Sequence, residues 1–176
     1  ENERVAVSGG WSNTNGLLLA ENGSEVALVG GGTVAIDGTS TFHRLTCEVP
    51  GMNVAFGADS FTRIASNGFF LIRGSSGAPV TLAPAAAGAI WRLAVDSNAV
   101  QNVDYAAVSN SDASDGIVVV AKDSADLGGN LNWRFTTIVP GEEIVWTGES
   151  DSQWANPENW DLGRVPVATD RVRISA

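Results

Sequence analysis

Basic and reactive side chains are scarce in this chain. Among 176 residues Lys122 is the one lysine, beside nine arginines, and His43 and Cys47 each stand alone. Acids outnumber bases 20 to 10, for a formal net charge of −10. A surface of that sign repels phosphate backbones and anionic headgroups, and no basic stripe offsets it, so neither nucleic acid nor an anionic membrane is an expected partner. Acidic polymers would be repelled too unless Ca²⁺ bridged them. One cysteine makes no intrachain disulfide and no thiolate metal site; Cys47, two residues after Leu45, is expected to be a small buried residue. One histidine offers no imidazole pair and no partnered nucleophile, so His43 is expected to face solvent without a catalytic role. No apolar run approaches the roughly 18 residues of a membrane span, and the opening Glu1-Asn2-Glu3-Arg4 does not read as a secretory leader.

What the chain does hold is apolar residues and turn formers. It is 44% hydrophobic with only 17% charged residues and 20 glycines, which argues against disorder. Two short patterns recur. Phe42-His43-Arg44-Leu45-Thr46-Cys47 returns as Phe61-Thr62-Arg63-Ile64-Ala65-Ser66, and Thr33-Val34-Ala35-Ile36 returns as Asn53-Val54-Ala55-Phe56, at steps of 19 and 20 residues. Such a step is too short for a βαβ unit and fits one rung of a stacked solenoid, in which each rung hides its apolar face against the next. Leu71-Ile72-Arg73 and Leu93-Ala94-Val95, 22 apart, suggest slightly longer rungs toward the C-terminus.

Short strand-like segments fill the region 33–121, among them Phe69–Arg73, Val80–Ala83, Trp91–Val95, Val103–Val108 and Ile117–Ala121, with Gly, Asn, Ser or Asp in almost every gap. No helical stripe is evident; Pro84 and Gly88 bracket the Ala-rich stretch, which is expected to form a tight turn or a single helical turn. The expected fold class is all-β: a right-handed parallel β-helix with rungs of about 20 residues. The alternative is a β-sandwich or jelly roll, which lacks a repeating rung. Residues 1–136 would form the solenoid with an N-terminal cap around Trp11, the Gly128–Phe135 stretch closing the other end. Residues 137–176 would hold a linker and the start of a further β module, opening at Trp146-Thr147-Gly148 and running through Asn159-Trp160 and Val165-Pro166 to Asp170-Arg171-Val172-Arg173-Ile174.

The stretches Leu71–Leu82, Trp91-Arg92-Leu93, Val103-Asp104-Tyr105, Val108–Ser111 and Ser124–Trp133 resemble bacterial secreted and cell-surface β-helix repeats, of the autotransporter-passenger and filamentous-adhesin kind. With the Phe42 rungs the resemblance covers a little over half of the chain. The C-terminal W-T-G, N-W, V-P and D-R-V-R-I series looks like the opening of modules that recur in very long bacterial surface proteins. The resemblance implies an extracellular or cell-surface location and a non-enzymatic structural or adhesive segment, with a glycan or a neighbouring cell surface as partner. It carries no catalytic residue.

Candidate chemistry is thin, and no catalytic set or cofactor is expected. Polysaccharide-cleaving β-helices use two carboxylates about 5 to 10 Å apart, and equivalent positions on adjacent rungs lie about 4.8 Å apart. Asp37 and Asp59 sit at loosely equivalent turns, 22 residues apart, and Asp96 and Asp104 lie near later turns. Turn aspartates more often bond nearby amides. Asp112, Asp115, Asp123 and Asp126 with Asn130 form the densest acidic region and are candidate Ca²⁺ ligands, although their spacing matches no EF-hand loop. Trp146, Trp154 and Trp160 are candidates for glycan stacking, or else bulky fillers of a small core. Together these keep a polysaccharide-binding or polysaccharide-degrading domain as the rival function.

Overall fold

The computed structural model describes residues 3–19, 23–137 and 141–174, and the side chains of 14–19 are left aside. Ile138-Val139-Pro140 of the expected linker lie outside the described residues. The chain divides into two compact units, Glu1–Phe135 and Thr136–Ala176.

Unit 1 is all-β and, among the described residues, holds no α-helix. It opens with β1 (Arg4–Val7), β2 (Gly10–Leu19) and β3 (Glu25–Leu28). Two long bent strands follow, β4 (Thr33–Cys47) and β6 (Phe61–Arg73), with β5 (Asn53–Phe56) between them. Then come β7 (Val80–Pro84), β8 (Trp91–Val95), β9 (Val100–Asp104), β10 (Ala106–Val108), β11 (Ser111–Asp112), β12 (Val119–Lys122), β13 (Ala125–Asp126) and β14 (Trp133–Thr136). The named strands pair in parallel, in a solenoid-like arrangement of three ladders.

Each ladder buries one side of its strands in register. In the first, Val7, Leu28, Cys47, Ile72, Val103 and Ala121 are successive partners. In the second, the partners are Val34, Val54, Leu82 and Val108. In the third they are Phe42, Ile64 and Val95. All of these are buried. Each large aliphatic or aromatic side chain so placed contributes about 1.5–3 kcal/mol, and the β-branched ones suit the pleated surface. The alternation that puts them there has its charged members outside, as ion pairs between neighbouring layers: Arg63–Asp96 at 2.7 Å, Arg73–Glu48 at 2.9 Å, Lys122–Asp104 at 3.1 Å, and Arg92 with Asp115.

The register corrects part of the repeat. Thr33–Ile36 does lie on Asn53–Phe56, residue for residue. Phe42, however, pairs with Ile64 and Arg44 with Phe69, while Phe61 pairs with Thr39. The cause is the corner. In β4 only His43 separates Phe42 from Arg44; in β6 four residues, Ala65-Ser66-Asn67-Gly68, fill the same bend. Asn67 takes φ 60°, and a Cβ on Gly68 would come within 2.5 Å of the carbonyl oxygens of Ala65 and His43. Leu71–Arg73 and Leu93–Val95 are not equivalent either: Ile72 pairs with Val103, and Leu93 with Thr62. Nor do the layers lengthen steadily. The step is 25 residues from Cys47 to Ile72 and 31 to Val103, then 18 to Ala121.

Both ends of the stack carry a tryptophan whose indole N–H donates to a buried core serine. Trp11 Nε1 donates to Ser40 Oγ at 2.9 Å and its ring lies 5.4 Å from Phe42. Trp133 Nε1 donates to Ser111 Oγ at 3.0 Å. At the late end, side-chain amides stand in for a further strand. Asn130 Nδ2 donates to the Val108 carbonyl, and Asn132 Nδ2 to those of Ala113 and Gly116.

Unit 2 contains β15 (Glu143–Trp146) and β16 (Arg171–Ile174), which pair in parallel, and a 3₁₀ turn at Pro157–Asn159.

Candidate functional site

The aromatic candidates converge. β15 delivers Trp146, and the 3₁₀ turn delivers Trp160 at its C-terminal edge. The Trp146 and Trp154 rings lie 5.6 Å apart and nearly parallel, and Trp160 meets both edge-on at 5.0 and 4.5 Å. Trp160 is only 3% exposed and donates its indole N–H to the Trp154 carbonyl at 3.1 Å. Trp154 is 50% exposed. The surface available to a sugar is therefore chiefly that of Trp154, backed by two rings that fix its tilt.

Asn159 organises the backbone behind this cluster. Fully buried, it donates from Nδ2 to Asp151 Oδ1 at 2.6 Å and to the Gln153 carbonyl at 3.0 Å, and accepts at Oδ1 from the amides of Ser150 and Asp151, both at 2.9 Å. Asn156 caps the 3₁₀ turn by accepting from the Glu158 amide at 3.0 Å, and Pro157 supplies the fixed φ of its first residue. Asp151 accepts from the Gln153 amide and from Asn156 and Asn159, which lowers its carboxyl below the usual range.

A second polar centre lies in the same unit. The Arg164 guanidinium, 1% exposed, grips Asp170 through both nitrogens at 2.5 and 3.0 Å and reaches Glu142 at 3.0 Å. Asp170 also accepts from the Val167 amide at 2.8 Å. The hydrogen bond from Arg164 holds the Asp170 carboxyl below its ordinary range and raises the guanidinium of Arg164. Neither Asn159 nor Arg164 stood out in the sequence. The signals were there: an Asn-Pro-Glu-Asn capping pattern, and an arginine flanked by Gly163 and Pro166 in an otherwise apolar turn.

The four acidic candidates do not converge. Asp112 and Asp115 lie at the corner that follows β11, where Asp112 accepts from the Ser114 amide at 3.0 Å and Asp115 pairs with Arg92. Bonds from Ser114 lower the Asp112 carboxyl. Asp123 takes φ 48° in the turn after β12. Asp126, in β13, accepts from the Gly128 amide at 2.9 Å and from Asn130 at 2.6 Å. Among the described residues no group of three or more His, Cys, Asp or Glu is placed to hold a metal ion.

The lateral carboxylates Asp37, Asp96 and Asp104 are tied up as well. Asp37 bonds the Gly38 amide at 2.9 Å, and the register carries it to Gly57, not to Asp59. Asp96 pairs with Arg63 and Asp104 with Lys122. His43 is buried at the β4 corner, against expectation, because its Nδ1 turns inward to accept the Gly23 amide at 3.2 Å. Cys47 is buried, which pushes its thiol up. No family model, curated protein or solved structure matches the chain.

Proposed function

We propose that unit 1 is a right-handed parallel β-helix and that the chain is a non-enzymatic structural or adhesive segment of a large bacterial surface or secreted protein. The handedness follows the usual course of parallel crossovers. The supporting observation is the use made of the polar residues: Asp96, Glu48, Asp115 and Asp104 pair with arginine or lysine of neighbouring layers, and Asp37 accepts from the adjacent Gly38 amide, so these carboxylates serve the stack itself. Such a stack acts mechanically. Layers at about 4.8 Å spacing give length and stiffness, and an acidic exterior keeps the rod soluble.

A second reading, glycan binding, rests on the half-exposed Trp154 ring. A glycan array with a reducing-sugar assay separates the two. The structural reading expects no turnover with any polysaccharide. Turnover abolished by Asp96→Asn or Asp104→Asn would overturn it. Binding without turnover, lost in Trp154→Ala, would establish the second reading.

A further inference from the structure

Four hydroxyls line the inner side of the third ladder, and all four residues are buried: Ser40, Ser60, Thr62 and Ser111. Ser40 and Thr62 are register partners in β4 and β6. Ser60 precedes Phe61, the partner of Arg92, so it stands beside Trp91, whose partner in the next layer is Ser111. The outer two hydroxyls are served by the tryptophans at the ends of the stack: Ser40 Oγ accepts from Trp11, and Ser111 Oγ from Trp133. The middle two are not served. Ser60 and Thr62 are each 1% exposed, and among the described residues neither Ser60 Oγ nor Thr62 Oγ1 has a hydrogen-bond partner.

Their neighbours are committed elsewhere. Trp91, beside Ser60, gives its indole N–H to the Ser109 carbonyl at 3.0 Å, and its ring stacks on Phe56 at 3.8 Å. Thr62 has Leu93 on one side, which offers no polar side-chain atom, and on the other Ser40, which accepts from Trp11.

We infer that Ser60 and Thr62 hold one internal water molecule, which bridges their hydroxyls inside the stack. Two residues apart in an extended chain, they face the same side with Cα atoms about 6.7 Å apart. Two hydrogen bonds of about 2.8 Å each span about 5.6 Å, and each hydroxyl turns freely toward the other, so a single water closes the gap. Gly38, in register beside Ser60, puts no side chain in the way. Ser40, one layer from Thr62, completes the shell, because a hydroxyl that accepts from an indole still carries a proton to give. Three polar partners are what an internal water typically has. The balance of energies points the same way. A buried hydroxyl without a partner costs its full desolvation, here twice over, and immobilising one water costs less than the two together. The site lies inside the middle layers of the stack and stands apart from any surface role of the protein.

Hydroxyl deletion gives the sign. Thr62→Val keeps the shape of the side chain and removes one partner of the water. The expected result is a melting temperature of unit 1, followed by circular dichroism, that falls by about 2–6 °C. Ser60→Ala does likewise. The double variant Ser60→Ala/Thr62→Val removes the site whole, so it loses less than the two single losses combined. A bare pair predicts the opposite: each deletion removes an unbonded hydroxyl and raises the melting temperature. A crystal structure of the unaltered chain supplies an arm that needs no variant to fold. The expected density is one water within about 3.2 Å of both Ser60 Oγ and Thr62 Oγ1. A rise on single deletion, or losses that add in the double variant, or density that shows the two hydroxyls bonded within the protein or with no water between them, overturns the inference.

Discussion

The two units solve the same problem with opposite materials. Unit 1 is held by columns of Val, Ile, Leu and Phe that repeat from layer to layer, and its ion pairs lie outside on exposed side chains. Unit 2 shows one parallel strand pair among its described residues. Its buried groups include an amide, Asn159, and a guanidinium, Arg164, beside Ile144 and Trp160. A small core is normally marginal, and buried polar groups are tolerated only when every one is satisfied. Asn159 meets that condition through the four bonds described above, and Arg164 has its charge matched by two carboxylates. The lesson is that a repeated apolar column spreads its stability over many replaceable contacts, whereas a polar core concentrates it in a few that are not replaceable.

The largest expected effect breaks unit 2 at one atom group. Asp170→Ala leaves the Arg164 guanidinium buried with only Glu142, at a cost of about 3–5 kcal/mol, and unit 2 unfolds at or near room temperature. Unit 1 is untouched. The single thiol reads this out, because Cys47 lies in unit 1 and is fully buried: thiol reagents should remain unreactive while tryptophan fluorescence reports the loss of the Trp146–Trp154–Trp160 cluster. Thiol exposure in Asp170→Ala would show that the units are not independent.

Next comes the apolar column. Leu82→Ala, between Val54 and Val108, costs about 2–5 kcal/mol depending on how far the cavity collapses. Because neighbouring layers on either side keep their contacts, chemical denaturation should show a lowered midpoint with the Cys47 signal still cooperative. A biphasic Cys47 signal would mean that the stack melts layer by layer.

Acid sharpens the contrast at smaller amplitude. The carboxyls of Asp151 and Asp170 are both held below their ordinary range, Asp170 chiefly by Arg164. A depressed carboxyl contributes stability above its unfolded value, near about 4, and that contribution is lost as pH falls through the lower folded value. In unit 1 the Asp112 carboxyl is lowered as well, by bonds from Ser114 at a half-buried corner outside the apolar columns. Thermal melts followed between pH 7 and strongly acidic pH should therefore show unit 2 losing stability below the ordinary carboxylate range before unit 1 does. The reverse order would contradict the assignment of the polar core.

Much of unit 1 was legible because its information is periodic. The segment Trp91–Val95 and the in-register pair Thr33–Ile36 and Asn53–Phe56 are where alternation and turn residues place them. The corner residues were not legible. Whether one residue or four turn the chain at His43 and at Ala65–Gly68 is decided by backbone sterics across layers, and similarity between Phe42 and Phe61 hides it. The candidate site divides the same way. The tryptophans announce themselves by size. Arg164 and Asn159 take their meaning from partners 6 to 22 residues away, which no local pattern supplies.

The smallest expected effect concerns the surface ladders. Arg92 pairs with Asp115 and lies 4.8 Å over the Phe61 ring, with about half of its side chain in water. Its pairing energy is screened and offset by lost side-chain freedom, so Arg92→Ala should cost no more than about 1 kcal/mol. Denaturant melts at low and high salt measure it, and the difference between the two should shrink as salt rises. If Arg92→Ala instead costs as much as Leu82→Ala, the contrast between the units fails: unit 1 too would rest on a few polar contacts, with its apolar columns serving to set register more than to supply stability.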